Sequence, residues 1–449
     1  MIQSCEYLLP KSSVNMNAEM NVTTAKPKIT YITAGAAGMY CGSCMHDNAL
    51  AKALSAEGYD TVLVPTYTPI RSDEKEVSMD QVFFGGINVY LQQKVPLFRF
   101  VPKILDRFLD SPKLIRKVTA NAIETDGKLL GGLTVSMLKG RTGNQKKEVK
   151  RLVKWLSEDA KPDVLILSNM LIAGFIRELK QSLNAPVIVT LQGDDIFLDS
   201  LNEPYKSQAI KLICELDQHV DGYLVHSNFY ADLMAKYCGL TREKMFVTPL
   251  GIDTADYVGL LNNREKDADV NIGYLARLSA DKGLHNLVSA FIDLKKREGM
   301  EHTKLKIAGW LGKDHETFSE EQFTRLNEAG LQDEYEHLGS IDRAGKLRML
   351  SQVDIMCVPT DYQEPKGIYV LESLACGVPV VQPAHGVFPE MIKDIGGGIL
   401  YAAGDNQELA AELEKLIRSK HRRLELGQSG RKNVMQPVSY THLTLPTKA

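Results

Sequence analysis

Short, nearly continuous apolar runs recur along the chain, each followed by a glycine-rich or polar loop and then a segment with helical periodicity. Runs of Val, Ile and Leu without alternation are typical of strands buried on both faces, as in parallel sheets. Strands that alternate with helices indicate a right-handed, doubly wound α/β fold. In the first half the runs are KITYIT (28–33), DTVLVPTY (60–67), DVLILS (163–168), APVIVTLQ (185–192), GYLVHS (222–227) and KMFVTPL (244–250).

The same pattern restarts in the second half, after a polar stretch without clear periodicity at 253–268. The later runs are DVNIGYL (269–275), KLKIAG (304–309), VDIMCVP (353–359), VPVVQ (378–382) and GGILYA (397–402). The sequence therefore predicts two Rossmann-like domains, 28–252 and 269–436, that are joined by the linker 253–268 and face each other across a cleft. We expect 1–27 to be a disordered leader and 437–449 to be a non-native tail.

Composition excludes several classes of protein. The formal net charge of the 449 residues is −3, which excludes a globally basic nucleic-acid binder. Seven scattered cysteines do not form a disulfide framework, so we expect a reducing, cytoplasmic compartment. No apolar run reaches the roughly 18 residues of a membrane span, and the first residues lack the pattern of a secretory signal.

Residues 97–120 form a basic segment with an apolar face. Apolar side chains recur every four residues at Phe100, Ile104 and Phe108, and basic residues outnumber acidic ones across the segment. Such a helix can make peripheral contact with an anionic membrane surface, at the inner face if the protein is cytoplasmic. The alternative is a helix that covers the core of its own domain and exposes its basic face to solvent.

The stretch 361–392 carries the most informative site residues. The strand that ends near Val358 leads into a loop with Glu364, and a helix is predicted from Ile368 to Ala375, ending before Gly377. The N-terminus of that helix suits phosphate oxygens, and Gly367 allows backbone and ligand to approach closely. Glu372 lies within the helix, where a carboxylate can accept hydrogen bonds from both ribose hydroxyls.

A second stretch, 272–291, adds cations to the same domain. Arg277 and Lys282 flank a turn between a strand and a helix, where two positive charges can neutralise a diphosphate. An Arg and a Lys in a loop are most often solvated surface residues. Their interpretation as a diphosphate site therefore depends on the acidic residues of 361–392 in the same domain.

These segments together resemble the retaining glycosyltransferases of family 4, which have the GT-B fold. EPKGIYVLESLACGVPVV (364–381) is similar to the family pattern of two glutamates separated by seven residues, and GYLARLSADKG (273–283) to its Gly-x-Leu-x-Arg-Leu-x-x-x-Lys-Gly pattern. VTPLGID (247–253), HSNFYADLM (226–234) and LGSIDRAGKLRMLSQVDIMCVPT (338–360) also match. The resemblance covers residues 28 to about 435.

The resemblance implies a nucleotide-diphosphate sugar, with UDP or GDP, as the donor, and a glycan or lipid as the acceptor. Arg277 and Lys282 would contact the diphosphate, Glu364 the transferred sugar and Glu372 the ribose. The other expected donor-binding residues are Gly367, Ile368, Tyr369, Gly35, Gly38, His385 and Gly386. Catalysis would rest on electrostatic support of the leaving diphosphate, with no metal or other cofactor required.

The first domain departs from the family at one position. The run VTLQGDDIF has Gln192 where the family often has a histidine, close to Asp194 and Asp195. Gln192 would hydrogen-bond the sugar. We expect these two aspartates and His46 on the acceptor side. His226 is more readily interpreted as a satisfied histidine at a strand end than as a catalyst.

The glycine-rich loop 35–42 allows three interpretations of Cys41 and Cys44, which form a Cys-x-x-Cys pair near His46. They are loop packing, a redox pair at a helix N-terminus, and a metal site that lacks further ligands at suitable spacing. Two alternatives to the transferase function also remain. One is a catalytically silent nucleotide-sugar-binding protein of the same fold, and the other is an enzyme similar to sucrose or glycogen synthases.

Overall fold

A computed structural model describes residues 26–35, 42–70, 76–79, 83, 89, 92–93, 127–260 and 269–436. The predicted basic segment 97–120, the leader up to residue 25, the tail 437–449 and Gly38 and Cys41 lie outside the described residues. Within the described part of the chain, no helix has the length and apolar character needed to cross a membrane.

The first half folds into a six-stranded parallel sheet with the strand order β2-β1-β3-β4-β5-β6. Its strands are β1 Lys28–Thr33, β2 Asp60–Pro65, β3 Val164–Leu167, β4 Val187–Thr190, β5 Gly222–Val225 and β6 Met245–Val247. Every residue of β3, β4 and β5 is buried, as the unalternated apolar runs predict.

The second half forms another six-stranded parallel sheet, with the order β12-β11-β10-β7-β8-β9. Its strands are β7 Val270–Leu275, β8 Thr303–Ala308, β9 Tyr335–Gly339, β10 Ile355–Cys357, β11 Val380–Pro383 and β12 Gly398–Tyr401. This is the Rossmann strand order, in which the direction of winding reverses between β7 and β10. The sheets and their flanking helices confirm the predicted GT-B architecture of two doubly wound units.

Helices cover both sheets and bury their apolar faces against them. In the first half they are α1 Gly42–Ala56, α2 Gly127–Leu138, α3 Lys146–Trp155, α4 Ile176–Ser182, α5 Asp194–Asp199, α6 Tyr205–Leu216 and α7 Asn228–Cys238. In the second half they are α8 Leu284–Lys295, α9 Glu316–Glu328, α10 Arg343–Gln352, α11 Ile368–Ala375, α12 Phe388–Ile395, α13 Asn406–Arg418 and α14 Lys420–Met435. Helix α11 has the predicted bounds, and Gly377 adopts the expected left-handed conformation beyond its end, with φ +74°.

Helix α14 connects the end of the second half to the linker. The Arg431 guanidinium donates to the carbonyl oxygens of Tyr257, Val258 and Leu260, and also to that of Ala375 at the end of α11. One side chain therefore fixes the chain segment between the two sheets to the helix that carries Glu372.

Candidate active site

The loops that follow β7 and β10 meet where the second sheet reverses its winding, which is where ligands bind in open α/β sheets. Gly283 makes this approach possible: it has φ +71°, and a Cβ there would lie 1.7 Å from the carbonyl oxygen of Pro359. Arg277 and Lys282 lie on the first loop and Glu364 on the second. The fold thus brings together residues that are more than 80 positions apart.

Glu364 is a buried carboxylate surrounded by donors. Its Oε2 accepts hydrogen bonds from Lys282 Nζ at 2.7 Å and from the Tyr362 hydroxyl at 2.5 Å. Its Oε1 lies 3.4 Å from the backbone nitrogens of Lys366 and Gly367, which donate from the N-terminus of α11. Burial raises the pKa of Glu364, but the charge and hydrogen bond of Lys282, together with Tyr362, outweigh it and hold the pKa at about 2. Glu364 is therefore a fixed anion at neutral pH.

The two cations of the first loop have different surroundings. Lys282 is mostly buried, contacts the Tyr362 hydroxyl and lies over the ring of that tyrosine, 4.6 Å from its centroid. The Arg277 side chain is 40 % exposed and pairs with Asp281, with Nη2 and Oδ2 2.9 Å apart. Arg277 can exchange this exposed partner for a ligand at small cost, because an exposed ion pair contributes only about 0–1 kcal/mol.

Glu372 has a second buried lysine as its partner. Lys346 of α10 donates to Glu372 Oε1, and the Tyr257 hydroxyl donates to the same oxygen at 3.2 Å. Both side chains of the ion pair are less than a tenth exposed. The two glutamates of the motif are thus each neutralised by a lysine from another element, an arrangement that the spacing of the glutamates does not reveal.

His385 and Gly386 support the Glu364 loop in this structure. His385 Nε2 donates to the carbonyl oxygen of Thr360 at 2.9 Å. Gly386 has φ +60°, and a Cβ there would lie 2.6 Å from the backbone nitrogen of Glu364. The Val387 N–H donates to the Glu364 carbonyl oxygen at 2.8 Å. The predicted contact of this loop with the donor base or sugar stays a prediction.

Lys366 links the two halves across the cleft. Its side chain is buried, and Nζ donates to Ser43 Oγ of α1 at 2.8 Å and to Gln192 Oε1 after β4 at 3.2 Å. The Gln192 amide in turn donates from Nε2 to Asp47 Oδ1 and to the Ser168 carbonyl oxygen, each at 2.9 Å. The hydrogen bonds of Gln192 are thus made within the protein, and its predicted contact with the sugar stays a prediction.

Asp194 and Asp195 hold their own loop. Asp194 is 2 % exposed and accepts hydrogen bonds from the backbone nitrogens of Met170 at 2.7 Å and Gln192 at 3.4 Å. Burial raises the pKa of Asp194 to about 7 despite these donors. Asp195 accepts from the Tyr230 hydroxyl at 2.6 Å, and burial raises its pKa as well. Both carboxylates are thus hydrogen-bonded within the protein, and the predicted acceptor contact of Asp194 and Asp195 stays a prediction.

A second contact joins the two halves through Glu390. The Glu390 carboxylate of α12 accepts hydrogen bonds from the backbone N–H groups of Asn228 at 2.9 Å and Phe229 at 2.6 Å, which begin α7. The Ser227 side chain caps the same helix by accepting from the Tyr230 N–H. A carboxylate of one half thus accepts hydrogen bonds from N–H groups at a helix N-terminus of the other half, where they have no partner within the helix.

In the first half, the loop after β1 approaches the chain after β2 closely. Gly35 has φ +85°, and a Cβ there would lie 2.0 Å from the Thr68 carbonyl oxygen. Cys44 is buried, while its potential partner Cys41 lies outside the described residues, so the redox interpretation stays open. Over the described ranges, no group of three or more His, Cys, Asp or Glu side chains is arranged to hold a metal ion.

Two doubly wound units that face each other across a cleft define the GT-B fold class, and comparison with known proteins agrees. The family models for "Glycosyltransferase Family 4" and "Glycosyl transferases group 1" match residues 131–256 and 262–433. Together the two matches support a group 1 glycosyltransferase with the GT-B fold. This confirms the resemblance inferred from the motifs.

Curated relatives align over parts of the chain. A phosphatidyl-myo-inositol mannosyltransferase of Mycobacterium leprae is 34 % identical over 100 residues, which are 22 % of this chain and 27 % of the relative. An MMP alpha-(1->4)-mannosyltransferase of Mycolicibacterium hassiacum is 25 % identical over 232 residues, 50 % of this chain and 52 % of the relative. The chain thus spans about a quarter to a half of the length of these relatives.

Solved structures align over most of the chain. Anabaena HepE in complex with UDP has a TM-score of 0.63 at 14 % identity, covering 92 % of this chain and 96 % of its own. Sucrose-phosphate synthase from Thermosynechococcus elongatus has a TM-score of 0.64 at 15 % identity, with the same coverage. At these identities the similarity establishes the fold.

Proposed function

We propose that this protein is a retaining hexosyltransferase that moves a sugar from a nucleotide-diphosphate sugar to a glycan or lipid-linked acceptor. The observation that carries the proposal is the buried Glu364–Lys282–Tyr362 cluster at the N-terminus of α11, with Arg277 on the neighbouring loop. The names of the mannosyltransferase relatives and the UDP bound to HepE support a nucleotide-sugar donor.

The electrostatics favour one division of labour among these groups. Because the pKa of Glu364 is about 2, its carboxyl does not supply a proton at neutral pH. As an anion it can accept hydrogen bonds from sugar hydroxyls and stabilise positive charge that develops on the sugar. Arg277 and Lys282 would stabilise the departing diphosphate, which would itself take the proton of the acceptor hydroxyl. In this proposal these cations and the start of α11 replace a metal ion.

A donor screen tests the proposal. The purified protein is incubated with UDP- and GDP-sugars and acceptor glycans or lipids, and the release of nucleoside diphosphate is measured with and without EDTA. We expect release that EDTA does not abolish, and an NMR spectrum of the product that shows the donor's anomeric configuration. Glu364→Gln should lower turnover at least about a hundredfold, as loss of a transition-state electrostatic contact does. Glu425→Gln, an exposed control, should not lower it.

Each other outcome has a defined meaning. Nucleotide-sugar binding without release would favour the catalytically silent alternative, and an inverted product would overturn the retaining mechanism. Transfer only to a free sugar phosphate or to an α-glucan would favour the synthase-like alternative.

A further inference from the structure

A pocket between the two halves contains a histidine whose ring nitrogens have no hydrogen-bond partner among the described residues. His46 of α1 is 3 % exposed, and within the part of the chain that the structure describes neither Nδ1 nor Nε2 makes a hydrogen bond. Nδ1 lies 3.5 Å from Asp47 Oδ1, an oxygen that already accepts from the Tyr31 hydroxyl at 2.6 Å and from Gln192 Nε2. Leaving a buried polar group without a partner is unfavourable, so such a group in a pocket points to a ligand.

The walls of the pocket show which part of the cleft His46 faces. It lies on the wall formed by α1, and the other walls carry Glu372, Ile368, Arg343 and Asp253. Glu372 and Ile368 belong to α11, the helix assigned to the donor's ribose and diphosphate. The pocket therefore places His46 opposite the donor-binding helix, whereas the sequence places it on the acceptor side.

A neighbouring histidine holds the His46 ring in this orientation. The rings of His46 and His226 meet edge to face, with centroids 4.6 Å apart and an interplanar angle of 67°. His226 Nδ1 donates to the Thr248 carbonyl oxygen at 3.0 Å, which fixes its tautomer and leaves Nε2 as a buried acceptor. His226 is thus satisfied at one nitrogen, as the sequence suggests, and its ring supports His46.

We propose that His46 is a donor-binding residue that hydrogen-bonds the ribose–diphosphate part of a nucleoside diphosphate from the first half, opposite Glu372. The nucleotide would then be held by both halves at once, so that binding it would favour the closed cleft. This inference rests on the proposed function, because it assumes that Glu372 receives the ribose.

The test measures the affinity for UDP and GDP by calorimetry in the wild type, His46→Phe and His46→Gln. Phenylalanine keeps the ring and its contact with His226 but removes both nitrogens. We expect the Kd of the preferred nucleotide to rise about ten- to hundredfold in His46→Phe, equivalent to about 1.4–2.8 kcal/mol, and less in His46→Gln. The KM of the donor should rise and that of the acceptor should not. His302→Phe, at a position 88 % exposed, is the matched control and should bind as the wild type does.

The outcomes separate this inference from the proposed function. If neither nucleotide binds to the wild-type protein, the proposed function fails. If the wild type binds and His46→Phe binds equally well, only the role of His46 is overturned, and a raised acceptor KM would return it to the acceptor side. Should both variants fail to fold, 13C-labelled histidine in the wild type gives an independent readout. A His46 ring signal unchanged by saturating UDP or GDP would then contradict the proposal.

Discussion

Replacing Lys282 by methionine should destabilise the second half of the protein strongly, because it leaves Glu364 charged and buried. The pKa of Glu364 falls from its ordinary 4.5 to about 2 in the folded protein. At about 1.4 kcal/mol per pKa unit, its surroundings stabilise the folded state by about 3 kcal/mol at neutral pH. Removing one partner of a buried ion pair costs about 3–5 kcal/mol, so we expect Lys282→Met to lower the free energy of unfolding by that amount.

The two tryptophans allow the second half to be monitored separately. Trp155 ends α3, whereas Trp310 follows β8, and its carbonyl oxygen accepts from the Leu278 N–H in the loop that carries Lys282. Urea unfolding is followed by Trp310 fluorescence in a Trp155→Phe background. Lys296→Met is the control, because its pair with Asp293 is exposed and should contribute less than about 1 kcal/mol.

The pH dependence and a double variant complete this test. A lowered carboxyl pKa gives stability that is fully present above pH 4.5 and is lost as pH falls through about 2. Lys282→Met should abolish that loss, because without the lysine burial raises the pKa of Glu364, and protonation of the carboxyl at low pH then relieves the buried charge. Lys282→Met/Glu364→Gln should recover most of the stability, since no charge is then left buried. Equal urea midpoints for Lys282→Met and Lys296→Met would refute the reasoning, as would a double variant no more stable than Lys282→Met.

Three further perturbations have defined outcomes. Gly386→Ala should displace the Glu364 loop and weaken donor binding, measured by calorimetry, at least about tenfold. Gly330 has a similar φ but no atom within 4 Å of an added Cβ, so Gly330→Ala should cost only about 1 kcal/mol of backbone strain and leave donor binding unchanged. Equal donor affinities of the two variants would contradict this prediction. Glu390→Ala removes two hydrogen bonds between the halves, so small-angle scattering should show a larger radius of gyration without nucleotide, and an unchanged radius would argue against Glu390 as a closing contact. Burial holds the pKa of His226 well below 6.5, so the unfolded chain binds more protons than the folded protein below that pH, and stability is lost as pH falls. His226→Gln should therefore flatten the decrease of Tm between about pH 6.5 and 5. A decrease as steep as that of the wild type would contradict a neutral His226.

Hydrophobic pattern predicted the sheets well because parallel strands are buried on both faces. The run at 28–33 is β1 without a change of boundary, and the other runs overlap every remaining strand except β9, with ends shifted by a few residues. Strand β9 was not predicted. Its sequence YEHLG is polar and its residues are exposed or half-buried, because it lies at the edge of the sheet. Such a strand carries no apolar run to reveal it.

Local sequence also predicted the start and end of α11 and the position of Glu364 in the loop before it. Such features can be predicted because loop and cap residues determine the backbone conformation of only a few neighbouring residues. The partners of these residues could not be predicted in the same way. Lys346 precedes Glu372 by 26 positions, and Ser43 precedes Lys366 by 323. The first pair forms only when two helices of the second half pack together, and the second only when the two halves meet across the cleft. Neither lysine stands out from the solvated lysines of the chain by its local sequence.

The hydrogen bonds of Gln192 explain why an amide suits a position where the family often has histidine. Gln192 donates to two acceptors, Asp47 and the Ser168 carbonyl oxygen, and accepts from Lys366. A neutral imidazole has one donor and one acceptor, so it could not donate to both of these acceptors and also accept a hydrogen bond from Lys366. A charged imidazolium could donate twice, but its positive charge would repel the Lys366 ammonium. Gln192 and Lys366 are therefore best understood as a pair, in which the amide provides the acceptor that a buried ammonium needs. On this argument, a histidine at 192 becomes compatible with the cleft only when the lysine at 366 is also replaced.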